Sequence, residues 1–339
     1  MAVQEAIKAL VETGELPPQL AAGALEELMT GAATPAQVGA FLSAWRIRGE
    51  TPEAIAACLE VMLRHAEPVD APGVIDICGT GGDGIDTINV STAAGFVVAA
   101  CGVRVAKHGN RAASSKCGSA DVLEALGARI DLDGSAIARI IDACNFCFLF
   151  AQRMHPAMRH VGGPRREIAI RTAFNILGPL SNPARPTRQL VGVGARVLGP
   201  LIASALALRG IEYALVVHSE DGLDEISPAA PTTAWVVADG AVAERTIAPE
   251  DFGLSRAPLS AVAGGDARAN AGDILAILDG AEGPRTDFTL MNAAAALVVA
   301  GRAPDFTAGV QLAREAVASG RAREVLDTYI TLAREAAGG

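Results

Sequence analysis

Two of the three lysines in this chain, Lys107 and Lys116, fall inside one short polar run. The run reads Lys107-His108-Gly109-Asn110-Arg111-Ala112-Ala113-Ser114-Ser115-Lys116-Cys117-Gly118-Ser119-Ala120-Asp121. It offers ammonium, guanidinium, imidazole, hydroxyl and amide groups, with glycines giving close backbone access. Such donors suit an anionic, hydroxyl-rich ligand, and a compact ammonium is the head that contacts phosphate as a point charge. Upstream stands Gly79-Thr80-Gly81-Gly82-Asp83-Gly84, followed by Asn89-Val90-Ser91-Thr92. A glycine turn between a strand and a helix start presents backbone N–H groups and a positive dipole end to phosphate. No Gly-Lys-Ser/Thr follows it, and the order G-x-G-G is not the dinucleotide fingerprint. A tight strand-to-helix turn is the bland alternative. Asn89, Ser91 and Thr92 either cap the helix or contact a ligand and a metal.

Two further groups could do chemistry. Asp224-Glu225 lies in an irregular acidic loop, and adjacent carboxylates can both reach magnesium, which takes one or two carboxylates plus water and substrate phosphate. A solvated acidic loop is the competing reading. Arg165 and Arg166 follow Gly162-Gly163-Pro164, read here as a turn, and either guanidinium could hold a carboxylate in a forked contact. Arg166 could equally pair with Glu167, so Arg165 is the preferred ligand contact.

These residues need a frame. Residues 1–66 read as helices only: Thr34-Pro35 and Thr51-Pro52 are each a capping hydroxyl followed by proline at the first helical position, and Gln37 could complete a capping box. Residues 67–73, with Pro68 and Pro72, form a plausible hinge. Short apolar runs then alternate with helices, with strands expected at Val74 to Cys78, Val103 to Ala106, Phe146 to Phe150, Gln189 to Val193 and Tyr213 to Val217. That alternation predicts a mostly parallel sheet with helical crossovers and ligands beyond the carboxyl ends of the strands. Residues 266–336 read as helical again.

The net charge of −10 argues against general nucleic-acid binding, which needs a basic footprint. An acidic protein that binds an anion must concentrate its cations locally, as residues 107–121 do. No apolar run is long enough for a membrane helix, and the amino terminus carries Glu5, Lys8, Glu12 and Glu15 in place of a secretion signal, so a cytoplasmic protein is expected. The six cysteines show no disulfide spacing, and Cys144-Asn145-Phe146-Cys147 predicts buried strand thiols ahead of zinc or redox chemistry.

Taken in order, the glycine turn through Asp83, Asn89 to Thr92, Lys107 to Asp121, Phe174 to Pro183 and Asp224-Glu225 resemble the anthranilate phosphoribosyltransferase family over the whole chain. The resemblance implies an α/β fold: a small all-helical domain plus a large α/β domain with a central, mostly parallel sheet flanked by helices. The helical domain would comprise 1–66 with about 165–185 and carry a homodimer contact; the large domain would comprise 74–164 and 186–339. It implies transfer of phosphoribosyl from 5-phosphoribosyl 1-pyrophosphate to anthranilate, with Mg2+ and without nucleic-acid or membrane partners.

By the same resemblance, the donor would be held by Gly79, Gly82, Asp83, Thr87, Asn89, Val90, Ser91, Thr92, Lys107, His108, Gly109, Asn110, Arg111, Ala112, Ala113, Ser114, Ser115 and Ser119. Anthranilate would meet Gly79, Asn110 and Arg165, and the metal Ser91, Asp224 and Glu225. No covalent nucleophile is implied, and His108 is either a base or a wall of the acceptor pocket. The chain departs from the family pattern at Gly163-Pro164, at Gln152 where proline is common, and at Gly194 where tyrosine is frequent. A pyrimidine nucleoside phosphorylase would instead show a Lys-His-Ser-Thr-Gly-Gly type turn. An inactive nucleic-acid-binding relative should have lost the Asp-Glu pair.

Overall fold

A computed structural model describes residues 1–112 and 115–338. Ala113 and Ser114, both expected at the donor, lie outside the described residues. The amino-terminal part is helical, with helices Ala2–Glu12, Pro18–Met29, Pro35–Arg48 and Pro52–Arg64. Local chemistry starts two of them as expected. Thr34 Oγ1 accepts from Gln37 N at 3.3 Å while Gln37 Oε1 accepts from Thr34 N at 2.9 Å, a reciprocal capping box. Thr51 Oγ1 accepts from Ala54 N at 3.3 Å, and Pro35 and Pro52 occupy first-turn positions.

The remainder builds a seven-stranded sheet from β1 (Ile75–Gly79), β2 (Val105–Gly109), β3 (Phe146–Phe150), β4 (Arg188–Gly192), β5 (Tyr213–Ser219), β6 (Thr232–Ala238) and β7 (Ala241–Ile247), in the order β3-β2-β1-β4-β5-β6-β7. The first five are parallel and the last two antiparallel. Parallel strands covered on both faces must be apolar throughout, and β3, Phe-Cys-Phe-Leu-Phe, is buried along all but its last residue. The chain winds outward from β1 to β3, then returns with β4 beside β1. The switch point is therefore the gap between β1 and β4, where open α/β sheets bind ligands.

Two cores flank the sheet. One packs helix Val90–Ala100 against β1, β2 and β3, Pro284–Val299 against β4 and β5, and Arg321–Ala336 against β3. The other is continuous from the amino-terminal helices through Phe174, Leu177 and Leu180 to Val191, Val216 and Trp235. Helix Arg159–Ile168 packs on Pro35–Arg48 and Pro18–Met29, and helix Phe174–Leu180 packs on Pro52–Arg64. Glu67 fixes the start of the 67–73 segment: its N–H donates to Met154 O at 2.8 Å, its Oε1 accepts from Gly134 N at 2.9 Å, and Arg153 pairs with its Oε2.

Two expectations change, and one of two open readings of Asn89 falls away. Lys107, His108 and Gly109 are strand β2, paired with Phe148, Leu149 and Phe150, and not part of a loop. Gly162, Gly163 and Pro164 form no turn but lie inside helix Arg159–Ile168, which continues from the 3-10 turn Pro156–Met158 and buries Val161 and Pro164. Asn89 makes no capping bond to the helix Val90–Ala100. Cys144 and Cys147 are free and buried, as expected. Among the described residues no helix is long and apolar enough to cross a membrane.

Candidate active site

At the carboxyl edge, β1 ends in the glycine turn and β4 ends in Gly192, Val193 and Gly194. The turn folds onto its neighbours because glycine stands where they touch. A Cβ on Gly192 would lie 1.5 Å from Asp224 O, and one on Gly79 would lie 2.9 Å from Asp224 Oδ2. Gly194, where the family often has tyrosine, faces the turn directly: a Cβ there would sit 2.5 Å from Gly81 O. Gly194 N donates to Thr80 Oγ1 at 3.0 Å, and Gly81 N donates to Asp224 Oδ2 at 2.9 Å. The turn and the acidic loop, separate in sequence, thus form one wall.

Asp224 and Glu225 are both half-buried. Burial first, then the charge of Asp83, pushes the Asp224 carboxyl up to about 6; burial, then Asp224 and Asp83, pushes Glu225 up as well. Thr87 Oγ1 donates to Glu225 Oε2 at 3.4 Å. The backbone behind the pair is clamped, since Ser219 Oγ donates to Glu225 O at 2.6 Å and Asn292 bonds both N and O of Ile226 at 3.2 Å. Rigid, like-charged carboxylates with raised protonation are a site short of positive charge.

Between β1 and β2 the backbone ladder is replaced by side chains near this edge. Only Ile75 pairs with Val105; beyond them Lys107 Nζ donates to Ile77 O at 2.6 Å, and His108 N donates to Asp76 Oδ1 at 3.0 Å. Lys107 is 1% exposed and also donates to Ser91 Oγ at 3.1 Å, joining the polar run to the helix that follows the glycine turn. Asn89, freed from capping, donates to Cys117 O at 3.1 Å and accepts from Asn270 Nδ2 at 2.8 Å. Val90 and Thr92 are fully buried, and Thr92 Oγ1 has no partner among the described residues.

Asp121 ties Ala112 to Gly118. Asp121 Oδ2 accepts from Ala112 N at 3.0 Å and Gly118 N at 2.9 Å, and a Cβ on Gly118 would lie 2.3 Å from Ala112 N. Arg111 pairs with Asp121 and Glu124, and Lys116 pairs with Asp86 at 3.4 Å. Ser115 is exposed, while Ser119 opens the helix Ser119–Ala125 half-buried. Gln152, where the family commonly has proline, donates to Asn110 Oδ1 at 3.2 Å.

Helix Phe174–Leu180 lies over the edge, with Cys78 Sγ donating to Pro179 O at 3.3 Å. Its Phe174 ring carries the half-buried Arg165 guanidinium, 5.0 Å from the centroid, and Arg165 has no hydrogen-bonded or carboxylate partner among the described residues. Burial lowers its pKa, although guanidinium remains charged. His108 and His155 meet edge-on at 5.2 Å. Burial lowers both, His155 to about 4, and His108 Nε2 has no partner among the described residues. Arg171, not singled out from sequence, reaches the glycine turn: its Nη2 donates to Thr80 O at 3.1 Å. A cavity of about 390 Å³ bordered by Arg104, Arg188 and Arg302 opens at the other end of the strands, where each guanidinium is already engaged.

Fold and site together define a transferase of the helical-bundle plus α/β type. The glycosyl transferase family helical bundle domain matches residues 4–66, and the glycosyl transferase family a/b domain matches residues 71–323. The chain is 50% identical over 338 residues to the anthranilate phosphoribosyltransferase of Chloroflexus aggregans, covering 98% of this chain and 99% of that one. The crystal structure of the Thermus thermophilus anthranilate phosphoribosyltransferase superposes with a TM-score of 0.91 at 41% identity, covering 98% and 99% of the two chains. The Saccharomyces cerevisiae enzyme in complex with PRPP and Mg gives 0.90 at 30% identity, covering 98% of each. This chain belongs to the anthranilate phosphoribosyltransferase family.

Proposed function

We propose that the chain transfers the phosphoribosyl group of 5-phosphoribosyl 1-pyrophosphate to the amino group of anthranilate, giving N-(5-phosphoribosyl)anthranilate and pyrophosphate. One observation carries the reading. At a single switch point a phosphate-type glycine turn is bonded to Asp224, beside the Lys107–Ser91 pair that begins the polar run. The donor's phosphates would lie along the turn and residues 107–119, and anthranilate's carboxylate would take the unpartnered Arg165, with Asn110 beside it.

Magnesium suits the donor set, because the hard oxygens of Asp224, Glu225 and Ser91 are ones it takes together with phosphate and water. Bound there it would neutralise the departing pyrophosphate. The chain's own residues orient the reactants. Anthranilate's amine is uncharged near pH 7, so its lone pair forms the bond to C1 as the C1–oxygen bond to pyrophosphate breaks, and the nitrogen then sheds a proton. Positioning and charge placement lower that barrier without a covalent intermediate. Cys78, the thiol beside Gly79, is buried and pushed well up, which disqualifies it as a nucleophile. Closure about residues 67–73, with Glu67 as anchor, would bring Arg165 toward the sugar.

Loss of anthranilate fluorescence with donor and magnesium tests the activity; purified protein that leaves the signal unchanged ends the reading. In that assay R165A should raise KM for anthranilate about 30- to 150-fold, the effect of losing about 2–3 kcal/mol of charge-assisted bonding, with donor KM nearly unchanged. A KM unmoved by R165A removes Arg165 from the acceptor site. His108 is held neutral and is a weak base, which fits a pocket wall. The kcat profile should therefore be flat from pH 7 to 9; a limb near 7 that disappears in H108Q would make it the base.

A further inference from the structure

We propose that Arg171 is a further donor-site residue, holding the pyrophosphate end of the sugar donor against the glycine turn. The inference rests on the phosphoribosyl reading and goes beyond the residues that reading uses. Arg171 follows Arg165 after a sharp reversal at Ala169, whose φ of 50° lies in the left-handed region that alanine enters at a cost of about 1–2 kcal/mol. The reversal lets two guanidiniums of one segment face different targets. Arg165 rests on Phe174, whereas Arg171 lies on the glycine turn.

Contact with the turn is close. Besides the bond to Thr80 O, Arg171 Nη1 occupies the place of a side chain at Gly82, 1.9 Å from where its Cβ would be. The opposite flank of the same turn is bonded to Asp224 through Gly81. A donor drawn to the acidic pair through its cation would leave pyrophosphate oxygens facing this turn, so the anion needs a cation there.

Apart from Arg165, which rests on Phe174 and is assigned to the acceptor, the basic side chains of the polar run are engaged. Arg111 is held by Asp121 and Glu124, Lys116 by Asp86, and Lys107 by Ile77 O and Ser91. Arg171 is exposed, uses one N–H on Thr80, and has no carboxylate in ion-pair reach among the described residues. A guanidinium has five N–H donors in a fork suited to phosphate oxygens, so most of its capacity is directed outward.

Calorimetric titration of the intact protein with magnesium pyrophosphate and, separately, with ribose 5-phosphate tests the assignment in wild type, R171Q and R171K. R171Q should weaken pyrophosphate about tenfold or more and leave ribose 5-phosphate within about twofold, with R171K recovering part of the loss. In turnover, R171Q should raise donor KM by a similar factor and leave anthranilate KM unchanged. Equal pyrophosphate affinity in R171Q and wild type would overturn the assignment. So would an equal loss of both ligands, which would report a distorted turn. Wild-type protein that binds neither ligand would take down the phosphoribosyl reading, and this inference with it.

Discussion

D224N/E225Q should lose about 10²- to 10³-fold in kcat/KM and, without magnesium, melt at a higher temperature than wild type. The amide replacements retain the acceptors for Gly81 N and Thr87 Oγ1, so what they remove is charge. Activity falls because, among the described residues, no other carboxylate pair is clamped at the turn to recruit the donor's counter-cation, and charge neutralisation of a leaving group is worth several kcal/mol. Stability rises because two rigid carboxylates, with Asp83 nearby, repel one another in a half-buried wall. The sign follows from the direction of the shifts. Folding raises both groups above their unfolded values, so the folded state holds their protons more firmly. Asp224's contribution is fully favourable below the unfolded pKa near 4 and is lost as pH climbs through about 6, and Glu225's falls in the same direction with rising pH. The melting advantage of the double variant should therefore grow from pH 5 to pH 8 in chelator, and shrink when magnesium and donor are added to wild type. Scanning calorimetry at both pH values, with and without magnesium, measures it. A variant within fivefold of wild-type turnover would separate these carboxylates from the cation.

What the sequence discloses about this site depends on whether the deciding contact is local. Thr34 and Thr51 cap their helices through residues three positions away, and strands such as β3 betray double-sided burial by unbroken apolar character. The glycine turn was legible for the same reason. Lys107 to Gly109 was not legible as strand, because polar side chains interrupt the apolar run while the backbone continues its pairing with β3. The engaged state of Arg111 and Lys116 was hidden too. Lys116 meets Asp86, thirty residues earlier, so a run that reads as a field of open cations is largely neutralised in the fold. Arg171 gave no signal of its own, since its role depends on the Ala169 reversal.

The β6–β7 hairpin carries one local signature in the sequence. Asp239-Gly240 forms the two-residue turn, with φ of 51° and 74°, and Asp-Gly is a favoured pair for that geometry. β7 is exposed at every residue but Ile247, so it lacked the apolar alternation that would have called attention to it.

K107M should cost both stability and turnover, and the two losses should be separable. Lys107 bridges the gap where β1 and β2 no longer share a backbone ladder. Methionine fills much of the volume but leaves Ile77 O without its donor and Ser91 Oγ without its hydrogen bond. It also strips Asp76, buried and pushed up to about 6, of a positive charge that partly offsets that burial. Losing one partner of a buried charged network costs about 3–5 kcal/mol, seen as an earlier denaturation midpoint. Turnover should fall about 10²-fold or more even in conditions where the variant is fully folded, because Ser91 loses its orientation beside the glycine turn. K107R should rescue neither property: a forked guanidinium does not fit the point between Ile77 O and Ser91 Oγ that a single ammonium fills. D76N/K107M discriminates the two roles. Removing the stranded carboxylate should recover part of the stability while turnover stays low, since Asp76 bonds the His108 backbone and donates nothing to the edge. Recovery of turnover along with stability would make Lys107 a purely structural residue, and the rarity of lysine in this chain would then reflect a need of the sheet and not of the donor.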